Sequence, residues 1–213
     1  MNKLQYYFEE LFHYYSESHR FSKLWAYYEL FKKSIDIEGC IIECGVFKGT
    51  NFMHLANLRK VFQQEYKKLY GFDTFGKFPE TNYQKGKKER KRFVDSVGED
   101  SIIKEELEDI LSQRGLIKNT QLIKGDILVT IPQFTTYLKD SISLLIIDTD
   151  IYEPTKIILE YLYPFVSNKG VIVFDDYDIF IGETDAVNEF FGSGFSPSKL
   201  EFRKKPRYII KEE

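Results

Sequence analysis

Apolar residues recur at helical spacing through the first part of the chain: Leu4, Tyr7, Phe8, Leu11 and Phe12, then Leu24, Trp25, Tyr28 and Phe31. That spacing predicts a helical extension over residues 1–34. From residue 40 the texture changes. Short apolar runs stand at 40–45, 69–73, 121–126, 142–148 and 170–176, and several end in a glycine or an acid. Helical patterns separate them over 51–66, 102–114, 131–139 and 154–166. Strands alternating with helices predict βαβ units and a doubly wound, mostly parallel α/β sheet. Leu144 to Ile147 and Val171 to Phe174 are apolar without alternation, as expected where helices cover both faces of a sheet. Residues 35–213 therefore read as one domain.

Composition changes this picture little. Alanine occurs three times in 213 residues while Lys, Ile, Tyr and Phe abound, a bias that coding-sequence composition alone produces. The 16% aromatic content is accordingly read first as core filling. The N-terminal aromatics, from Tyr6 to Tyr28, are read as core or contacts of a homodimer. Cys40 and Cys44 are read as reduced, packed thiols. A formal charge of −3 argues against a nucleic-acid partner. No apolar run reaches the ~18 residues of a membrane span, and Met1 to Gln5 lead into Glu9-Glu10 rather than a leader-like stretch. The expectation is a soluble, cytoplasmic protein.

Ligands of a doubly wound sheet collect at the carboxyl ends of its strands. Acids stand at those ends here: Glu43 with Gly45, Asp73, Asp126, Asp148 with Asp150, and Asp175 with Asp176. The turn Glu43-Cys44-Gly45-Val46-Phe47-Lys48-Gly49-Thr50 lets a ligand approach backbone at a helix start, although it lacks the G-x-G-x-x-G spacing of nicotinamide enzymes. Asp73 suits a ribose diol, or else a turn. The pairs at 148/150 and 175/176 gather carboxylates that would repel one another, and a hard divalent cation such as Mg2+ resolves that repulsion. The three histidines, His13, His19 and His54, lie far from these acids in sequence, so no zinc set exists.

These residues fall into an ordered series. Glu43 to Gly49, Tyr70-Gly71-Phe72-Asp73-Thr74-Phe75 with Phe78-Pro79-Glu80, Ile147 to Thr155 with Leu162-Tyr163-Pro164, and Asp175-Asp176-Tyr177 with Gly182 and Asp185 to Phe190 resemble the macrocin O-methyltransferase-like family. The resemblance covers roughly residues 35–195. It implies a Rossmann-like class I methyltransferase that uses S-adenosylmethionine and Mg2+ to methylate a sugar or nucleotide-sugar hydroxyl. On that resemblance Glu43, Gly45, Val46, Gly49 and Thr50 surround the methionine part of the cofactor, with Asp148 alongside. Asp73 with Thr74 holds the ribose, and Asp126 with Ile127 borders the adenine. Asp148, Asp175 and Asp176 bind the metal, and Asp150 is the general base.

Two other readings stay open on the residues alone. Metal-dependent glycosyltransferases also hold a sugar diphosphate through D-x-D acids, and the domain could bind a partner without catalysis. The stretch Tyr83 to Phe93, with six cations between Lys85 and Arg92, reads as a solvated surface segment or as a mobile lid that pairs with substrate phosphates.

Overall fold

In the computed structural model, which describes residues 3–192 and 194–212, the five apolar runs are strands: β1 (Cys40–Cys44), β2 (Leu69–Asp73), β3 (Thr120–Lys124), β4 (Ile142–Ile147) and β5 (Val166–Phe174). They pair in parallel in the order β3-β2-β1-β4-β5. The chain runs outward from β1 to β3, then returns to start again at β4. Strand order therefore reverses between β1 and β4, which is where such sheets bind ligands. Two strands that the hydrophobic pattern does not disclose, β6 (Ser198–Leu200) and β7 (Arg203–Ile210), complete the sheet, with β7 antiparallel to β5.

The helices are α1 (Lys3–Tyr15), α2 (Ser18–Ser34), α3 (Thr50–Val61), α4 (Lys87–Val97), α5 (Lys104–Gln113), α6 (Ile127–Thr135), α7 (Tyr152–Leu162) and α8 (Ile181–Phe191). Alternate strand residues face opposite layers. Ile41, Leu144, Ile146, Val171 and Val173 pack in one core with residues of α2, α3 and α5. Ile42, Leu145, Ile147, Ile172 and Phe174 pack in the other with residues of α6, α7 and α8. No helix among the described residues is long and apolar enough to cross a membrane.

Several boundaries differ from the predicted ones for local reasons. Helix α3 stops at Val61, short of residue 66, because Gln63 adopts a left-handed φ of 55°. Asp126 caps α6 by accepting a hydrogen bond from Leu128 N at 2.9 Å, so the helix begins at Ile127 rather than 131. Pro164 follows α7 in a 3-10 turn, and Val166 opens β5 instead of closing a helix. The N-terminal segment divides in two. Helix α2 buries Ala26, Tyr27, Leu30 and Phe31 in the first core, whereas α1 buries no side chain. Within the basic stretch, α4 is docked: Glu89 accepts from Ile181 N at 2.7 Å, at the start of α8, and Arg90 donates to the carbonyls of Phe78 and Pro79.

Candidate active site

The turn after β1 is held open by a glycine and a carboxylate. Gly45 has φ 94°, and a Cβ there would lie 1.8 Å from the Asp148 carbonyl oxygen, so no other residue fits beside β4. Asp73, at the end of β2, accepts from Val46 N and Phe47 N, each at 2.9 Å, through one oxygen. Its other oxygen accepts from Phe75 N at 2.7 Å and from the Thr74 hydroxyl at 3.3 Å. Asp73 thus forms the turn, as one reading of its position expected, and also lines the cavity. Gly49 sits at the start of α3 with φ 75°.

Glu43 is buried below this turn. One carboxyl oxygen accepts from Asn51 Nδ2 at 2.7 Å, and the other has no partner among the described residues. Burial, opposed by the Asn51 hydrogen bond and the Lys23 charge, pushes its carboxyl up to about 8. The folded protein therefore holds this proton far more tightly than the unfolded chain, whose carboxyl has an ordinary value near 4.5. The sign follows: stability tied to Glu43 is full below pH 4.5 and is lost as pH rises toward 8. Thermal melts of the ligand-free protein are expected to show this loss, and Glu43→Gln, neutral at every pH, is expected to flatten it. A variant with the wild-type slope would contradict this assignment.

The second acid group lies where β1, β4 and β5 end side by side. Asp148 N donates to Cys44 O at 2.9 Å and Asp175 N to Ile147 O at 3.0 Å, which fixes the two acids on neighbouring strands. Carboxylate oxygens of Asp148, Asp150 and Asp176 come within 4.8 Å of one another. Asp150 reaches the group through a left-handed backbone, φ 62°, a strain that non-glycine residues adopt rarely. Burial and the neighbouring Asp175 push Asp148 well above the usual carboxylate range; burial and Asp176 do the same to Asp150. Asp175 differs. Burial would raise it, but Lys23 Nζ at 2.7 Å and the Tyr27 hydroxyl at 2.7 Å hold it below its ordinary value. Glu183, fully buried in α8, accepts from Asp176 N at 3.0 Å and so fixes the backbone of that acid.

One cavity of about 520 Å³ joins the two groups. Glu43, Gly45, Val46, Thr50, Asp73, Thr74, Asp126, Ile127, Asp148, Asp150, Asp175 and Asp176 all line it; Gly49 does not. Phe12 and Leu24 wall one side, and Phe78, Phe93 and Phe180 another. His54 stands apart, its ring nitrogen 3.1 Å from Leu24 O. The sequence reading missed Lys23, Tyr27, Lys205 and Glu183. Nothing in the periodicity separates Lys23 and Tyr27 from other helix residues, because their partner Asp175 is about 150 positions away.

The Macrocin-O-methyltransferase (TylF) family matches residues 17–193. The chain belongs to that family. It is a methyltransferase, and solved structures agree. It is similar to CalS11, a calicheamicin methyltransferase, at 26% identity over 91% of this chain and 80% of that one, with a TM-score of 0.77. The apo structure of CalS11, described as a TDP-rhamnose 3'-O-methyltransferase, aligns at 25% identity over 91% and 80% of the two chains, with a TM-score of 0.68. The O-methyltransferase NovP shares the fold at 21% identity, covering 87% of this chain and 78% of that one, with a TM-score of 0.72. No curated protein matches in sequence. The methyltransferase fold accounts for the sheet order and for β7 running against its neighbours.

Proposed function

We propose that this methyltransferase moves the methyl group of S-adenosylmethionine to a hydroxyl of a sugar or nucleotide-linked sugar, with Mg2+ at the carboxylate cluster and Asp150 as general base. The observation that carries the reading is the single cavity that joins the Gly45–Asp73 turn to Asp148, Asp150 and Asp176. Its similarity to CalS11, a TDP-rhamnose 3'-O-methyltransferase, supports a sugar acceptor.

The donor set fits a hard cation: the three buried or half-buried carboxylates of Asp148, Asp150 and Asp176 converge, and burial together with mutual repulsion disfavours their charged forms unless positive charge lies among them. When bound, Mg2+ would neutralise these charges and lower the proton affinity of a hydroxyl lying on it. Asp148 and Asp176 would hold it; Asp175, outside that carboxylate group and paired with Lys23 and Tyr27, would be a third ligand only once Lys23 leaves it. The remaining work belongs to the chain. Glu43, with one oxygen unpaired, would hold the cofactor's ammonium, and Asp73 the ribose. The apolar side chains of Phe78, Phe93 and Phe180, which line the cavity, would help to exclude water from the bound reactants. The sugar oxygen attacks the methyl carbon, the carbon–sulfur bond breaks with its electron pair going to sulfur, and the hydroxyl proton passes to an Asp150 oxygen.

Titration calorimetry with S-adenosylmethionine, and separately with nucleotide sugars, tests the reading. Tight cofactor binding and methylated product support it; binding of a nucleotide sugar alone, with sugar transfer, would replace it with the glycosyltransferase reading. Asp73→Asn is expected to weaken S-adenosylhomocysteine more than about tenfold, since charge-assisted bonds contribute about 1.5–3 kcal/mol each. The same carboxylate closes the turn, so a thermal melt accompanies the titration. Native affinity in a folded Asp73→Asn protein would remove the ribose assignment.

A further inference from the structure

Asp175 is one of the acids read as metal ligands, yet both of its oxygens are already taken. Oδ2 accepts from Lys23 Nζ at 2.7 Å and Oδ1 from the Tyr27 hydroxyl at 2.7 Å. The same ammonium lies 3.6 Å from Asp148 Oδ2. A single positive charge therefore bridges two of the proposed ligands from α2, outside the sheet that carries them.

We propose that Lys23 is a tethered counter-ion of the metal site, which a divalent cation must displace to gain Asp175. The inference rests on the Mg2+ reading above. Electrostatics make the two occupants alternatives. An ammonium in hydrogen-bond contact with Asp175 blocks that oxygen, and a dication bound beside it would repel the ammonium at close range. The exchange needs no movement of the helix. Ala26, Tyr27, Leu30 and Phe31 anchor α2 in the core, and Arg203 on β7 donates to His19 O and Ser22 at its start. Only the lysine stem must swing. Its side chain is 27% exposed against 5% for Asp175, so the ammonium has a path to the cavity while the carboxylate stays in place. Tyr27 then keeps Asp175 oriented by its remaining hydrogen bond. Lys205, 3.1 Å from Asp176 and 40% exposed, is the more loosely held cation of the pair.

Lys23 thereby has two effects on the metal. It keeps Asp148 and Asp175 from being left buried together without a cation, a state that costs far more than a surface pair gains. It also lowers metal affinity, because part of the binding free energy goes to breaking its own ion pair. Removing the charge should transfer that free energy to the metal.

The test is calorimetric titration of Mg2+ into chelator-treated protein, wild type against Lys23→Met and Lys23→Arg. Lys23→Met keeps the apolar stem and is expected to bind Mg2+ about tenfold or more tightly, while Lys23→Arg stays near wild type. Equal or weaker binding by Lys23→Met overturns the proposal and leaves the Mg2+ reading standing. Absence of Mg2+ binding in wild type and both variants defeats that reading, and the displacement with it. Should Lys23→Met fail to fold, acylation of wild-type lysines by an amine-reactive ester, read by mass spectrometry, decides the matter. Labelling of Lys23 relative to exposed Lys33 should rise on adding Mg2+; no rise overturns the displacement.

Discussion

Asp150→Asn is expected to leave S-adenosylhomocysteine binding intact and to reduce turnover by about 10²–10⁴-fold, the usual contribution of a positioned base. The amide keeps the shape and one oxygen but cannot take a proton at neutral pH. Burial and the adjacent Asp176 raise the proton affinity of Asp150, the direction that makes its carboxylate a stronger base. The geometry also supplies the competing role, since an Asp150 oxygen lies within 4.8 Å of oxygens of Asp148 and Asp176. The variant is therefore assayed across magnesium concentration beside Asp148→Asn. A base cannot be replaced by more metal, so Asp150→Asn should stay slow at every concentration. Asp148→Asn should instead recover as magnesium rises, because a neutral oxygen is a poorer but not absent partner for a hard dication. Rescue of Asp150→Asn by magnesium would make Asp150 a ligand.

The contrast between these acids shows what a single chain discloses. The strands at 40–44, 69–73 and 142–147 were legible because burial on both faces leaves short, mostly apolar runs without alternation. Asp148 and Asp175 were legible for the same reason, since the apolar run stops where the carboxylate begins. Strand β7 was not, because Arg203-Lys204-Lys205-Pro206 breaks any pattern of apolar positions, and its pairing comes from distant β5, which takes residues 207–210, and from the short β6. Helix α8 carries its buried Glu183 among ordinary helix residues, and nothing local marks that acid as the acceptor for Asp176 N. Lys23 and Tyr27 form the clearest case. Helical spacing marks Leu24, Trp25, Tyr28 and Phe31, of which Phe31 is buried and Trp25 exposed; Tyr27, off that stripe, is buried, and its contact with Asp175 arises only when α2 packs across the ends of β4 and β5. Local pattern carries the scaffold and the strand-end chemistry; long-range packing decides which carboxylates are free.

Chelation is expected to abolish methyl transfer, with recovery on adding magnesium, while S-adenosylhomocysteine binding persists. The two halves of the cavity differ in how their acids are satisfied. Asp73 accepts three backbone N–H groups and a hydroxyl, so the turn itself satisfies its oxygens. Asp148 and Asp150 have raised proton affinities, from burial first and then from Asp175 and Asp176 respectively, and their charged forms need positive charge nearby. Lys23 provides part of it, to Asp175 and Asp148, and Lys205 to Asp176. Neither lysine lies within ion-pair distance of Asp150. Removal of a dication should therefore disable the half of the site that activates the hydroxyl and spare the half that holds the cofactor. Product binding measured in the same chelated sample separates the two. Methyl transfer undiminished after exhaustive chelation would mean that the carboxylate cluster works without a metal, with proton transfer to Asp150 as the whole of its chemistry.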